Sequence, residues 1–125
     1  VCEKENKMPK LRTSDWLDVT VAKDDASKLS AATDLGLPYR SVDVLVTNLA
    51  TSATVTLHVA KTLDETYYPL YYISLNDGDD DAAITTAGTT AIAVIFPFFG
   101  FQYFKICLSA TQTSSDATFK VRGFN

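Results

Sequence analysis

Histidine occurs once in the 125 residues, as His58, and cysteine twice, as Cys2 and Cys107. Each scarcity removes a class of chemistry. Catalytic triads, histidine general bases and zinc cages all draw on imidazole, so the common hydrolase and metalloenzyme templates fail. Two distant cysteines without Cys-x-x-Cys spacing give neither a zinc ribbon nor a thioredoxin-type redox pair. The charged opening lacks an apolar signal core, and no later stretch reaches the roughly eighteen uncharged apolar residues that cross a bilayer; the expectation is a soluble, unexported chain with no membrane partner. Lys and Arg are missing altogether between Lys61 and Lys105, and 11 basic against 15 acidic residues leave a net charge of −4. Nucleic-acid and anionic-membrane surfaces need clustered Lys and Arg to replace counterions, so no nucleic-acid partner is expected.

What is present is apolar material in strand-like order. Hydrophobic residues make up 46% of the chain, with seven Phe, six Tyr and one Trp, enough for the core of one small domain. Residues 1–13 are set apart as an extended arm: Lys4, Lys7, Lys10 and Arg12 stand against Glu3 and Glu5, with Pro9 and no periodicity. Such an arm suits an acidic neighbouring surface, although a frayed terminus reads the same way. Residues 14–125 form the single domain.

Within it the period is two. Leu17, Val19 and Val21 mark a first strand, and residues 24–32 read as a loop with strand fragments, because the Asp and Ser that would start a helix run into Asp34-Leu35-Gly36-Leu37-Pro38. Residues 41–49 are apolar on both sides and read as a central strand with both faces covered. The cleanest strand is 53–61, with Val55, Leu57 and Val59 inward and Thr54, Thr56 and His58 outward, and the short link between it and the previous strand predicts a hairpin. His58 has no partner nearby in sequence and reads as a structural side chain.

Tyr67, Tyr68, Tyr71 and Tyr72 flank Pro69, which makes that segment an edge strand or a broken one. Their amphipathic rings suit packing, a subunit contact or a carbohydrate platform. Asp77, Asp79 and Asp81 lie in a carboxylate-rich turn that lacks the glycine and distal Glu of an EF-hand, so they remain weak calcium candidates and no metal or cofactor is expected. Residues 85–90 read as a Thr-rich connection, and 91–96 as a buried strand closed by Pro97. Phe98, Phe99 and Phe101 then crowd one loop, either as an adhesive interface or folded under as a cap. Residues 102–110 turn Phe104, Ile106 and Leu108 inward and Cys107 outward, where nothing activates the thiol. A final strand spans 117–124.

About seven to eight strands at spacings near ten residues, without a long helical pattern, predict an all-β, antiparallel β-sandwich of jelly-roll type. The run from Val19 to Gly36, then Val42-Asp43-Val44-Leu45-Val46, Ala53-Thr54-Val55-Thr56-Leu57-His58-Val59-Ala60, Phe96-Pro97, Phe101-Gln102-Tyr103-Phe104-Lys105-Ile106 and Ala117-Thr118-Phe119-Lys120-Val121-Arg122-Gly123-Phe124 resembles the small β-sandwich auxiliary proteins of tailed-phage virions, of capsid cement or decoration type. The charged arm and the Asp-rich turn depart from that pattern. The resemblance implies a non-enzymatic structural protein, made in the host cytoplasm and located on the capsid surface. There it would bridge the major capsid protein or other virion proteins as a homo-oligomer, a trimer fitting a threefold axis. The arm cations and the Phe loop are then the contact candidates. The alternative is a carbohydrate- or receptor-binding module of tail or adhesin type on the tyrosines. Paired carboxylates acting as a glycosidase are disfavoured, since these sit in polar turns that do not separate their pKa values.

Overall fold

Alternating side chains dictate the strands, and their inward members meet between two sheets. The structure is a computed structural model that describes residues 12–47, 49–73, 80–82, 84–86 and 91–125. In chain order the strands are β1 (Leu17–Val21), β2 (Thr33–Asp34), β3 (Ser41–Val46), β4 (Thr54–Ala60), β5 (Tyr68–Pro69), β6 (Tyr71–Ile73), β7 (Asp80–Ala82), β8 (Ile84–Thr86), β9 (Ile92–Pro97), β10 (Tyr103–Leu108) and β11 (Ala117–Phe124). One sheet has the order β1-β11-β3-β9 and the other β2-β10-β4-β5, with β8 also on β4, and a separate pair is β6-β7. All these pairings are antiparallel. Strands 1, 11, 3, 9 facing strands 2, 10, 4, 8 make a jelly roll, so the expected antiparallel sandwich is what forms.

The core lies between the sheets. Val19, Val42, Val44, Phe96, Phe119 and Val121 come from one inner face and Val55, Leu57, Val59, Phe104, Ile106 and Leu108 from the other, all buried. Packing two such faces about 10 Å apart leaves no room for polar groups without partners. Among the described residues the two buried polar ones, Ser30 and Gln112, meet that condition. Ser30 Oγ accepts the Ile106 N–H at 2.9 Å and donates to Ala31 O. Gln112 accepts the Thr51 N–H through Oε1 at 3.0 Å and donates from Nε2 to Thr51 O at 2.8 Å.

Three expectations are corrected by this topology. Strands β3 and β4 are not a hairpin: they belong to different sheets, and the link between them crosses the sandwich, with Leu49 and Ala53 buried between the layers. The strand over 41–49 is central, between β11 and β9, yet it is not covered on both faces, because Leu45 is 39% exposed. Strand β9 is an edge strand whose outer face is open, with Ile95 at 64% exposure, where full burial was expected. In addition, Thr85 and Thr86 belong to β8 instead of a connection.

Residues 24–32 are a loop, held open by Asp25, whose Oδ1 accepts the Ser27 N–H and hydroxyl at 2.9 and 2.7 Å. That Asx turn competes with a helix start. Sheet pairing begins near the arm boundary: Thr13 bridges Phe124, and Asn125 N–H donates to Arg12 O at 2.9 Å.

Candidate functional site

The outer face of the β1-β11-β3-β9 sheet divides into a polar half and an apolar half. Register aligns Asp18, Lys120, Leu45 and Ala93 in one row across the strands, and Arg122, Asp43 and Ile95 in the next. Toward β1 the charges neutralise one another. Lys120 Nζ lies 2.6 Å from Asp18 Oδ1, and Arg122 donates to Asp43 Oδ2 from Nη2 at 2.9 Å and Nε at 3.2 Å while its guanidinium covers the Trp16 ring at 4.4 Å. Toward β9 only Leu45, Ala93 and Ile95 remain, beside a shallow groove of about 640 Å³ lined by Leu45, Val46, Thr47, Ala91, Ile92 and Ala93. No charged residue occurs between Asp81 and Lys105.

The opposite sheet presents a mixed polar and aromatic face. His58 stands across from Lys105 on β10 and from Pro69 on β5. Partial burial, reinforced by the Lys105 charge, pushes the imidazole below its ordinary value. Lys105 Nζ sits 4.7 Å over the ring of Tyr67, whose hydroxyl donates to Leu63 O at 2.9 Å. Burial, with Asp64 next in effect, pushes the Tyr67 phenol up. Beside it an open groove of about 770 Å³ runs along Val59, Leu70 and Phe101, with Tyr68, Asp64 and Glu65 on its walls. Tyr68, 63% exposed, is the tyrosine that faces this groove in the open.

The four tyrosines therefore do not form one platform. Tyr67 is committed to Lys105 and Leu63, Tyr68 lines the groove, and Tyr71 and Tyr72 lie in the β6-β7 pair, in register with Ala82 and Asp81. The Phe loop is likewise split. Phe98 is fully buried, with Phe101 at 6.1 Å and Phe104 at 5.8 Å in edge-on contact, so it caps the core and offers no contact surface. Phe99, at φ 58° in the turn before Gly100, is 56% exposed. Arg12 is exposed beside the chain's last residue; Lys4, Lys7 and Lys10 lie outside the described residues, as do Asp77 and Asp79, while Asp81 is in β7. Among the described residues no three His, Cys, Asp or Glu side chains group as metal ligands. Cys107 is a half-buried free thiol in β10.

The sequence reading missed the uncharged β9 edge and the Gln112 clamp. Pro97 was the available signal for the first, since proline in a strand marks an edge. Buried glutamines carry no comparable signature.

The fold is similar to that of the SPBc2 prophage-derived protein YomS, with a TM-score of 0.51, 14% sequence identity, and coverage of 90% of this chain and 96% of that one. At that identity the likeness is one of fold. No family model and no curated protein matches the sequence.

Proposed function

We propose that the chain is a non-enzymatic structural protein of a phage virion, of capsid decoration or cement type, bridging subunits at the surface of the head. The observation that carries this reading is the end-to-end fold likeness to a prophage-derived protein of nearly the same extent. The surface supports it: an open sheet edge and an apolar strip of Leu45, Ala93 and Ile95 suit a protein whose work is to bury contact area. A cement protein stabilises a shell because it binds the assembled state and not the dispersed subunits, so its binding free energy adds to that of assembly. In this reading Lys4, Lys7, Lys10 and Arg12 meet an acidic shell surface and Phe99 adds an apolar contact, while Phe98 and Phe101 hold the loop from beneath.

The test is co-sedimentation with undecorated shells assembled from the major capsid protein of the same genome. Bound chain that delays thermal dissociation of the shells is expected, and deleting residues 1–12 should lower occupancy without lowering the melting temperature of the free domain by more than a few degrees. Absence of binding to shells would sink the reading. The Tyr68 groove with its two carboxylates favours a second reading, recognition of a glycan, in which sugar hydrogens stack on Tyr68 and hydroxyls donate to Asp64 and Glu65. Retention on a glycan panel, abolished by Tyr68→Ala, would establish that instead.

A further inference from the structure

Among the described residues strand β9 ends its sheet, and its backbone orientation follows from one hydrogen bond. Phe98 N–H donates to Arg40 O at 2.6 Å, toward the β3 side. Antiparallel pairs alternate, so Phe96, Val94 and Ile92 also direct their N–H and C=O groups toward β3. Ala93 and Ile95 direct theirs to the open edge, along with the Pro97 carbonyl, and no strand among the described residues takes them up. Natural edges are guarded by charge, proline or a bulge. Edge strand β1 at the other side of the sheet follows that rule, with Asp18 within it and Asp15 and Lys23 two residues beyond its ends. Edge strand β9 has only Pro97, which removes one outward donor at its far end.

We propose that β9 pairs antiparallel with β9 of a second copy of this chain, about a two-fold axis at Val94, joining two four-stranded sheets into one of eight. Three features of the edge suit a second copy. In this register the outward residues coincide: Ala93 faces the partner's Ile95 and Ile95 faces the partner's Ala93, each pair exchanging two backbone hydrogen bonds, and Ala91 N–H meets the Pro97 carbonyl of the partner subunit. The same pairing sets a small side chain beside a large one on the outer face, where Ile95 is 64% exposed, and continues the apolar strip of each copy into the other. Charge agrees, because the uncharged strand brings no like charges together, and Asp43, beside Ile95 on the neighbouring strand, is already paired with Arg122 within each copy. A single six-residue edge buries less than the roughly 1,200 Å² of a standard interface, so the contact is weak in dilute solution and strengthens where copies are arrayed. Being isologous, it builds dimers, not the trimer that the cement-protein resemblance implies. The pairing is a property of the free chain and does not depend on the virion reading.

The test uses the full chain alone, without shells, so its failure is separate from failure of the virion reading. Sedimentation equilibrium from about 10 µM to about 1 mM should show a monomer–dimer equilibrium. Ile95→Lys places two like charges at the axis and should raise the dissociation constant at least about tenfold. Ala93→Pro removes a donor that faces the open edge, at a position where an edge strand tolerates the ring, and should do the same. Amide exchange followed by NMR should slow with concentration at Ala93 and Ile95 and stay constant at Val94 and Phe96. A chain that is monomeric throughout, a trimer without a dimer, a dimer surviving either substitution, or exchange at Ala93 and Ile95 independent of concentration would each overturn the proposal.

Discussion

Gly123 is the position where a single methyl group interrogates the packing of the sandwich. It lies on the buried face of β11, and a Cβ placed there would stand 2.5 Å from Tyr39 Cδ2 and 2.6 Å from Cγ. Carbon atoms pack at roughly 3.5–4.0 Å, so the ring would have to retreat by about 1 Å. Neither side can yield easily. Tyr39 is 4% exposed, and its backbone is fixed to the Phe loop by N–H to Phe101 O at 3.1 Å and by Gly100 N–H to its own carbonyl at 2.8 Å. Gly123 is held from the other side, its N–H donating to Ser14 Oγ and its carbonyl accepting the Ser14 N–H, both at 2.9 Å. Overpacking of this kind costs about 1–3 kcal/mol, and replacing a strand glycine by alanine returns about 0.5–1 kcal/mol. The net expectation for Gly123→Ala is a loss of about 1–2 kcal/mol, a fall in melting temperature of roughly 3–8 °C. Urea and thermal unfolding monitored by near-ultraviolet circular dichroism measure it. The collision is specific to the ring, so Gly123→Ala should cost much less in a Tyr39→Leu background, a coupling that a double-mutant cycle reads directly. A Gly123→Ala protein as stable as the parent, or additive behaviour in the cycle, would refute the packing argument.

Two further expectations concern polar groups. His58 titrates below its ordinary 6.5 in the folded chain. The unfolded chain therefore takes up a proton that the folded one refuses, and stability present above pH 6.5 declines as pH falls toward the folded value. Melting curves between pH 7.5 and 5 should show this decline, reduced in His58→Gln, and Lys105→Gln should raise the His58 midpoint in an NMR titration; unchanged profiles would show that neither burial nor Lys105 acts on the ring. Gln112→Leu removes both side-chain bonds to the backbone of Thr51 and strands a half-buried N–H and C=O, with an expected loss of about 1–3 kcal/mol by urea unfolding and faster amide exchange at Thr51.

Strand identity was legible because the sandwich has one wet face per sheet. Alternation such as Val55, Leu57 and Val59 against Thr54, Thr56 and His58 is the direct image of that one-sided burial, and the inward sets of β1, β4, β10 and β11 follow it. Partnership was less legible. A link of a few residues between 49 and 53 suits a hairpin, yet the same length crosses between sheets when Leu49 and Ala53 enter the core and Gln112, some sixty residues later, clamps Thr51. That clamp is a long-range contact, which local pattern does not encode. The apolar runs Val44-Leu45-Val46 in β3 and Ile92-Ala93-Val94-Ile95-Phe96 in β9 misled for a related reason. An apolar run reads as burial on both faces, but Leu45 and Ile95 are exposed.

That failure bears on function more than on fold. Sequence patterning assigns apolar residues inward, so an exposed apolar strip is read as core until the topology places its strand at an edge. The candidates chosen by residue type fared unevenly for the same reason: Phe98 went to the core, Tyr67 to Lys105, and Tyr68 alone of that pair kept an open face. Leu45 and Ile95 were never chosen, because nothing in their chemistry distinguishes them from Val44 and Phe96. What distinguishes them is parity: on β3 and β9 alternate residues face the core, and the intervening ones face outward. In the proposed structural role, the trace of contact lies in that parity and in the lack of charge between Asp81 and Lys105, where a surface strand would ordinarily be guarded.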